Sequence, residues 1–156
     1  MRLPSDRESK FPFAVKEGYH VTSDETPEYN CVAWSLEDNE RWWQPFPNDY
    51  QFWPEIASES YSTSAYKKMF MLHYRFEECD SPDFEEGYEK IAIYGSRCQF
   101  THVARQLADG RWASKLGDWE DIEHNTLKAL ESQDYGNVEC VLKRKHPVIS
   151  IPSTVE

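Results

Sequence analysis

The segment "YEKIAIYGSRCQFTHVARQLADGRWASKLG", residues 88–117, constrains the fold more than any other part of the chain. Residues 88–95 read as a strand with a buried centre. Residues 100–107 set Val103 and Leu107 on one face against His102, Ala104 and Gln106 on the other, the period of two that a strand imposes. Residues 111–117 read as a third strand. "ADG" joins the last two as a hairpin turn, with Gly110 supplying the positive φ that such a turn requires. A hairpin of this kind cannot stand alone in water and needs apolar elements to cover it.

The flanking segments supply that cover. Helical spacing predicts a helix from about Asn30 to Glu40 and another over 60–76, where Ala65, Met69, Leu72 and Phe76 recur. A third helix is expected over 120–132, with Ile122, Leu127 and Leu130 facing inward, and a last strand over 136–145. "RWWQPFPNDYQFWPEIA" holds too much proline for one helix and reads as an ordered aromatic loop. "EECDSPDFEEG" reads as an acidic surface connection. Helices precede strands, so the expected class is α+β, with N-terminal helices packed on an antiparallel sheet. The expected organisation is a polar segment over 1–25, one domain over 26–146 and a C-terminal tail over 147–156.

Composition narrows the function. The chain has 156 residues, 15% of them aromatic, which is ample for one core. Its net charge is −11. Such a surface repels phosphate backbones and anionic bilayers, so neither nucleic acid nor membrane is an expected partner. "LKRKH" at 142–146 is short and reads as a solvated strand end. The first thirty residues lack the apolar core of an export signal, and no stretch reaches the length of a membrane span. The four cysteines, Cys31, Cys79, Cys98 and Cys140, form no C-x-x-C pair. These features predict a cytoplasmic chain with reduced thiols and no metal or other cofactor.

One cysteine stands apart. In "TPEYNCVAWSLED", residues 26–38, Asn30 is a good N-cap and Cys31 falls in the first helical turn. Unpaired backbone N–H groups there favour a thiolate, the nucleophilic form. The competing reading makes Cys31 a small buried apolar residue. His102 lies early in its strand, and the small side chain of Ala104 beside it would let the first helix approach. Cys31 within hydrogen-bond reach of His102 is the minimum for an activated thiol. The third group depends on the turn. With a three-residue "ADG" loop, Leu107 pairs with Arg111, Ala104 with Ser114, and Ser114 shares the His102 face. With a two-residue "DG" loop, Lys115 takes that place. Asp121, Glu123 and His124 are further candidates. A metal site of Cys31, His102, His124 and Cys98 would lack any closely spaced ligand pair.

A cysteine at a helix start, a histidine early in a strand and a polar residue on the next strand resemble the papain-like cysteine hydrolase superfamily. Its bacterial cell-wall amidohydrolase branch is the nearest, since "THVARQLADGRWASKLG" is similar to that branch's histidine hairpin. The phrases "YNCVAW", "GYEKIAIY", "THVARQL", "DGRWASKLG" and "DIEH" also resemble a bacterial family without an assigned activity. The superfamily resemblance implies Cys31 as nucleophile, His102 as general base and then acid, and Ser114 as the residue that orients the imidazole. The substrate would be an amide, isopeptide or ester, on a protein or a smaller molecule. Two departures stand out. The superfamily's third residue is usually His, Asn, Asp or Gln, and its oxyanion-binding glutamine has no counterpart at Tyr29 or Asn30. The alternative is a non-catalytic protein-binding module on the same scaffold, using the acidic surface and the aromatic loop.

Overall fold

A computed structural model describes residues 2–146. The tail expected over 147–156 lies outside the described residues. The chain folds as α1 (Ser5–Glu8), α2 (Pro12–Glu17), β1 (Tyr19–Ser23), α3 (Cys31–Ser35), β2 (Trp42–Trp43), β3 (Gln51–Phe52), α4 (Thr63–Tyr74) and β4 (Glu77–Cys79). The long strands β5 (Tyr88–Ser96) and β6 (Gln99–Gln106) follow, then β7 (Trp112–Lys115) and β8 (Asp121–His124). A 3-10 turn over Leu127–Leu130 and β9 (Asn137–Lys145) complete it. Seven strands make one antiparallel sheet in the order β1-β8-β7-β6-β5-β9-β4. The class is α+β, as the order of elements predicts.

Alternation along β5 and β6 divides the core into two layers. Ile91, Ile93 and Val103 face α3 and α4 and pack with Val32, Ala33, Tyr66, Met69 and Phe70. Ala92, Tyr94 and Ala104 face the other way and pack with Phe11, Ala14 and Leu130. The cross-strand pairs respect this division: Ile93 lies opposite Val103, Ala92 opposite Ala104 and Tyr94 opposite His102.

Three segments differ from the sequence reading. Residues 1–25 are not a polar appendage: β1 is an edge strand of the sheet, and Leu3, Phe11, Ala14 and Val21 are buried. The domain therefore begins before residue 26. Residues 120–132 form no α-helix. "DIEH" pairs as β8 with both β1 and β7, because Ile122 and His124 share one buried face while Asp121 and Glu123 share the other. The acidic connection contains β4, which caps the far edge along β9.

The helices are displaced too. α3 is five residues long rather than running to Glu40, since Leu36 leaves helical geometry and Glu37 takes a positive φ. α4 buries Ala65, Tyr66, Met69 and Phe70, whereas Leu72 is 74% exposed. Tyr66 sets this rotation by stacking flat on Phe100, ring centroids 3.7 Å apart. Phe76 lies beyond the helix and returns to the core past the left-handed Arg75, meeting Phe70 edge-on. The aromatic loop is ordered as expected around the parallel β2–β3 pair, with Trp43 and Trp53 buried and Phe46, Tyr50 and Ile56 exposed.

Candidate active site

Strand β6 delivers His102 to the interior, where it is fully buried. The hairpin that carries it turns through Ala108, Asp109 and Gly110. Leu107 N–H donates to the Arg111 carbonyl at 2.7 Å, Gly110 N–H returns to Leu107, and Gly110 has φ +91°. Arg105 lies opposite Ala113 and Gln106 opposite Trp112. The same register carried one residue on sets Ser114 opposite Ala104, on the His102 face, which is the three-residue turn. Lys115 points to the other face, where its ammonium donates to the carbonyls of Thr26, Gly117 and Trp119 and lies over the Tyr29 ring.

The ladder between β6 and β7 stops at the Arg105–Ala113 pair. Beyond it the two strands are bridged by side chains. His102 Nε2 lies 2.9 Å from Ser114 Oγ, and Ser114 Oγ lies 2.8 Å from His124 Nε2. His124 Nδ1 lies 2.9 Å from the Thr126 carbonyl. The Tyr135 ring stacks on the His102 imidazole, centroids 4.4 Å apart and planes within 6°. His102 Nδ1 is buried with no hydrogen-bond partner. Burial holds the His102 pKa well below its ordinary value, and the neighbouring His124 adds to this. Burial likewise lowers His124 to about 4.

Cys31 opens α3, as the sequence predicts. Asn30 caps the helix by accepting from Ala33 N–H at 3.3 Å. The same side chain fastens the helix start to the aromatic loop: its Oδ1 accepts from Trp43 N–H at 3.2 Å, and its Nδ2 donates to the Trp43 carbonyl at 2.7 Å. Asn30 thereby uses both acceptor sites and one of its two donors. Cys31 packs in the layer that contains Val103. The Val103 backbone amide favours the Cys31 thiolate.

Two expectations for Cys31 are not met by this arrangement. No hydrogen bond joins Cys31 to His102 among the described residues: α3 packs on the Val103 side of β6, and the space expected beside Ala104 is filled from the opposite layer. The thiol pKa is raised, to about 11, rather than lowered. Desolvation of the buried sulfur outweighs the amides of Val103 and Val32 and the charge of Lys115. A five-residue helix adds little dipole to oppose it.

The other proposed groups are placed as follows. Asp121 lies on the Lys115 face and accepts from Tyr29 at 2.6 Å and Ser23 at 2.7 Å. Glu123 accepts from Arg111 at 2.9 Å. Neither touches His102. Cys98 is exposed in the β5–β6 turn. Among the described residues, no group of three or more His, Cys, Asp or Glu side chains is set to hold a metal ion. None of the described helices is long and apolar enough to cross a membrane. Sequence reading did not identify Tyr135 or Thr126 as neighbours of the site. The alternation in "DIEH" was the signal that His124 shares the face of Ile122, but that alternation is visible only if the segment is read as a strand.

Neither a curated protein nor a solved structure matches the chain significantly. A family model described as "Domain of unknown function (DUF7689)" matches residues 20–143. The match begins inside β1, ends inside β9 and contains Cys31, His102, Ser114 and His124. It covers well over half of the chain, and the protein therefore belongs to the DUF7689 family.

Proposed function

We propose that the protein is a papain-like thiol hydrolase of the cytoplasm, cleaving an amide, isopeptide or ester with Cys31 as nucleophile, His102 as base and Ser114 as orienter. The observation that carries this reading is the state of the His102 ring. One nitrogen is anchored on Ser114, while the other is buried and unpartnered one residue from the amide that faces the Cys31 sulfur. A buried unsatisfied polar atom costs about 1–3 kcal/mol, so retaining one on an imidazole suits a group held free for proton transfer.

The chemistry follows from the pKa directions. At neutral pH the thiol is protonated and the imidazole neutral, so there is no resting ion pair. The reaction requires the Cys31 sulfur and His102 Nδ1, which share no hydrogen bond in the free protein, to come within reach of each other. As sulfur bonds to the carbonyl carbon, the thiol proton passes to Nδ1, and the carbonyl electrons move to oxygen. The intermediate collapses, the carbon–nitrogen or carbon–oxygen bond breaks, and the leaving group takes the proton from Nδ1. Water, deprotonated by the same nitrogen, then adds to the acyl carbon, the carbon–sulfur bond breaks to release the carboxylic acid, and the proton on Nδ1 returns to the Cys31 sulfur. Both reacting atoms are buried, so a covering side chain must move to admit substrate.

A second reading, a non-catalytic protein-binding module, is favoured by the missing Cys31–His102 hydrogen bond and by the exposed Phe46, Tyr50 and Ile56 of the aromatic loop. p-Nitrophenyl acetate separates the two. The hydrolase reading expects acetylation of Cys31, mapped by peptide mass spectrometry, with p-nitrophenolate release lost in Cys31→Ala and slowed at least tenfold in His102→Ala. Acetylation confined to Cys98, unchanged by His102→Ala, would leave the binding module standing.

A further inference from the structure

We infer that His124 is a positioning residue which, through the Ser114 hydroxyl, fixes the tautomer of His102 so that Nδ1 is the unprotonated nitrogen. The inference deepens the hydrolase reading and rests on it for its catalytic meaning, but the relay itself is a statement about protons in hydrogen bonds.

The direction of the relay is forced from its far end. The Thr126 carbonyl has no proton and can only accept, so His124 Nδ1 carries the hydrogen across their 2.9 Å contact. A neutral imidazole has one N–H, which leaves His124 Nε2 as an acceptor. Among the described residues, its hydrogen-bond partner is Ser114 Oγ, at 2.8 Å. Ser114 therefore donates its single proton to His124. Its oxygen is left to accept at 2.9 Å from His102, so the His102 proton sits on Nε2. His102 Nδ1 is then a bare lone pair, and it is the ring nitrogen without a partner.

The inner members are 0–1% exposed, so water does not compete for these bonds. Tyr135 stacked on the His102 ring prevents it from flipping to exchange its nitrogens. β8 places His124 opposite Trp112, and Thr126 is itself fixed as the cap of the 3-10 turn. The device answers the weakness of serine as a third residue. A hydroxyl alone can donate or accept and so specifies no tautomer. With its proton committed to His124, it can only accept from His102.

Long-range 1H–15N correlation spectra of the uniformly 15N-labelled full chain near pH 7.5 read the tautomers directly. Assignment uses His102→Gln and His124→Gln. The expected result is His102 protonated at Nε2 and His124 protonated at Nδ1. Ser114→Ala should abolish the fixed His102 pattern, and Ser114→Thr, which keeps a hydroxyl, should restore it. Protonation of His102 at Nδ1 or of His124 at Nε2 in the wild-type protein overturns the inference. So does a His102 pattern that is identical in Ser114→Ala. If a variant fails to fold, the wild-type tautomers still decide. The two proposals fail separately: expected tautomers with no Cys31 acetylation reject the hydrolase and keep the relay. Acetylation with reversed tautomers does the opposite.

Discussion

Acid should weaken this fold earlier than its carboxylates alone would dictate, because two imidazoles are buried in the neutral form. The His124 side chain has a native pKa of about 4, set by burial. In the unfolded chain histidine titrates near about 6.5. Between these values the unfolded state binds a proton that the native state does not, so stability falls as pH falls. The slope is about 1.4 kcal/mol per pH unit per group. From pH 7.5 to pH 5, which is about 1.5 units below the unfolded value, His124 should remove about 2 kcal/mol. Burial acts on His102 in the same direction. Asp38, whose native pKa is lowered, loses its stabilisation only below its unfolded value of about 4, outside this window. Urea unfolding at fixed salt, followed by tryptophan fluorescence, measures the effect. With a denaturant slope of about 2 kcal/mol/M, the His124 share alone moves the midpoint by about 1 M. In His124→Gln the starting stability changes, but the informative quantity is the pH slope, which should fall by one imidazole's share. A midpoint flat from pH 7.5 to 5, or a slope unchanged in His124→Gln, would refute the picture of neutral buried rings.

Two further outcomes test the scaffold around the site. Asn30→Ala removes the cap of α3 and both bonds to Trp43, at 3.3, 3.2 and 2.7 Å, and should cost about 2–4 kcal/mol with a loss of near-ultraviolet tryptophan dichroism. Gly136→Ala should lower stability by about 2 kcal/mol or more: Gly136 has φ +69°, and an added Cβ would lie 2.2 Å from the Gly95 carbonyl oxygen. Gly87→Ala, at φ +87° with no atom within 4 Å, is the control and should cost about 1 kcal/mol in thermal melts.

The sequence by itself determined the elements whose signal is local. Period-two alternation specified β6, a run with a buried centre specified β5, and the Asp109–Gly110 turn with its left-handed glycine marked the hairpin. Asn30 marked the start of α3, because a cap is a contact between residues three apart. These features also singled out Cys31 and His102 as candidates, but among the described residues the structure joins His102 to Ser114 and not to Cys31. Only the tertiary structure decided what depends on distant partners. "DIEH" became a strand because β1 and β7 flank it, overriding a helical reading of 120–132. The buried face of α4 was set by Tyr66 stacking on Phe100, thirty-four positions away in the chain, and not by helical spacing alone. The choice between Ser114 and Lys115 needed the backbone register, since a slip of one residue exchanges the faces of a strand. Most of all, the ionisation of Cys31 was settled by packing. Its place at a helix start favours a thiolate, but burial in the Val103 layer removes most of the water that a thiolate needs, and desolvation outweighs a helix of five residues.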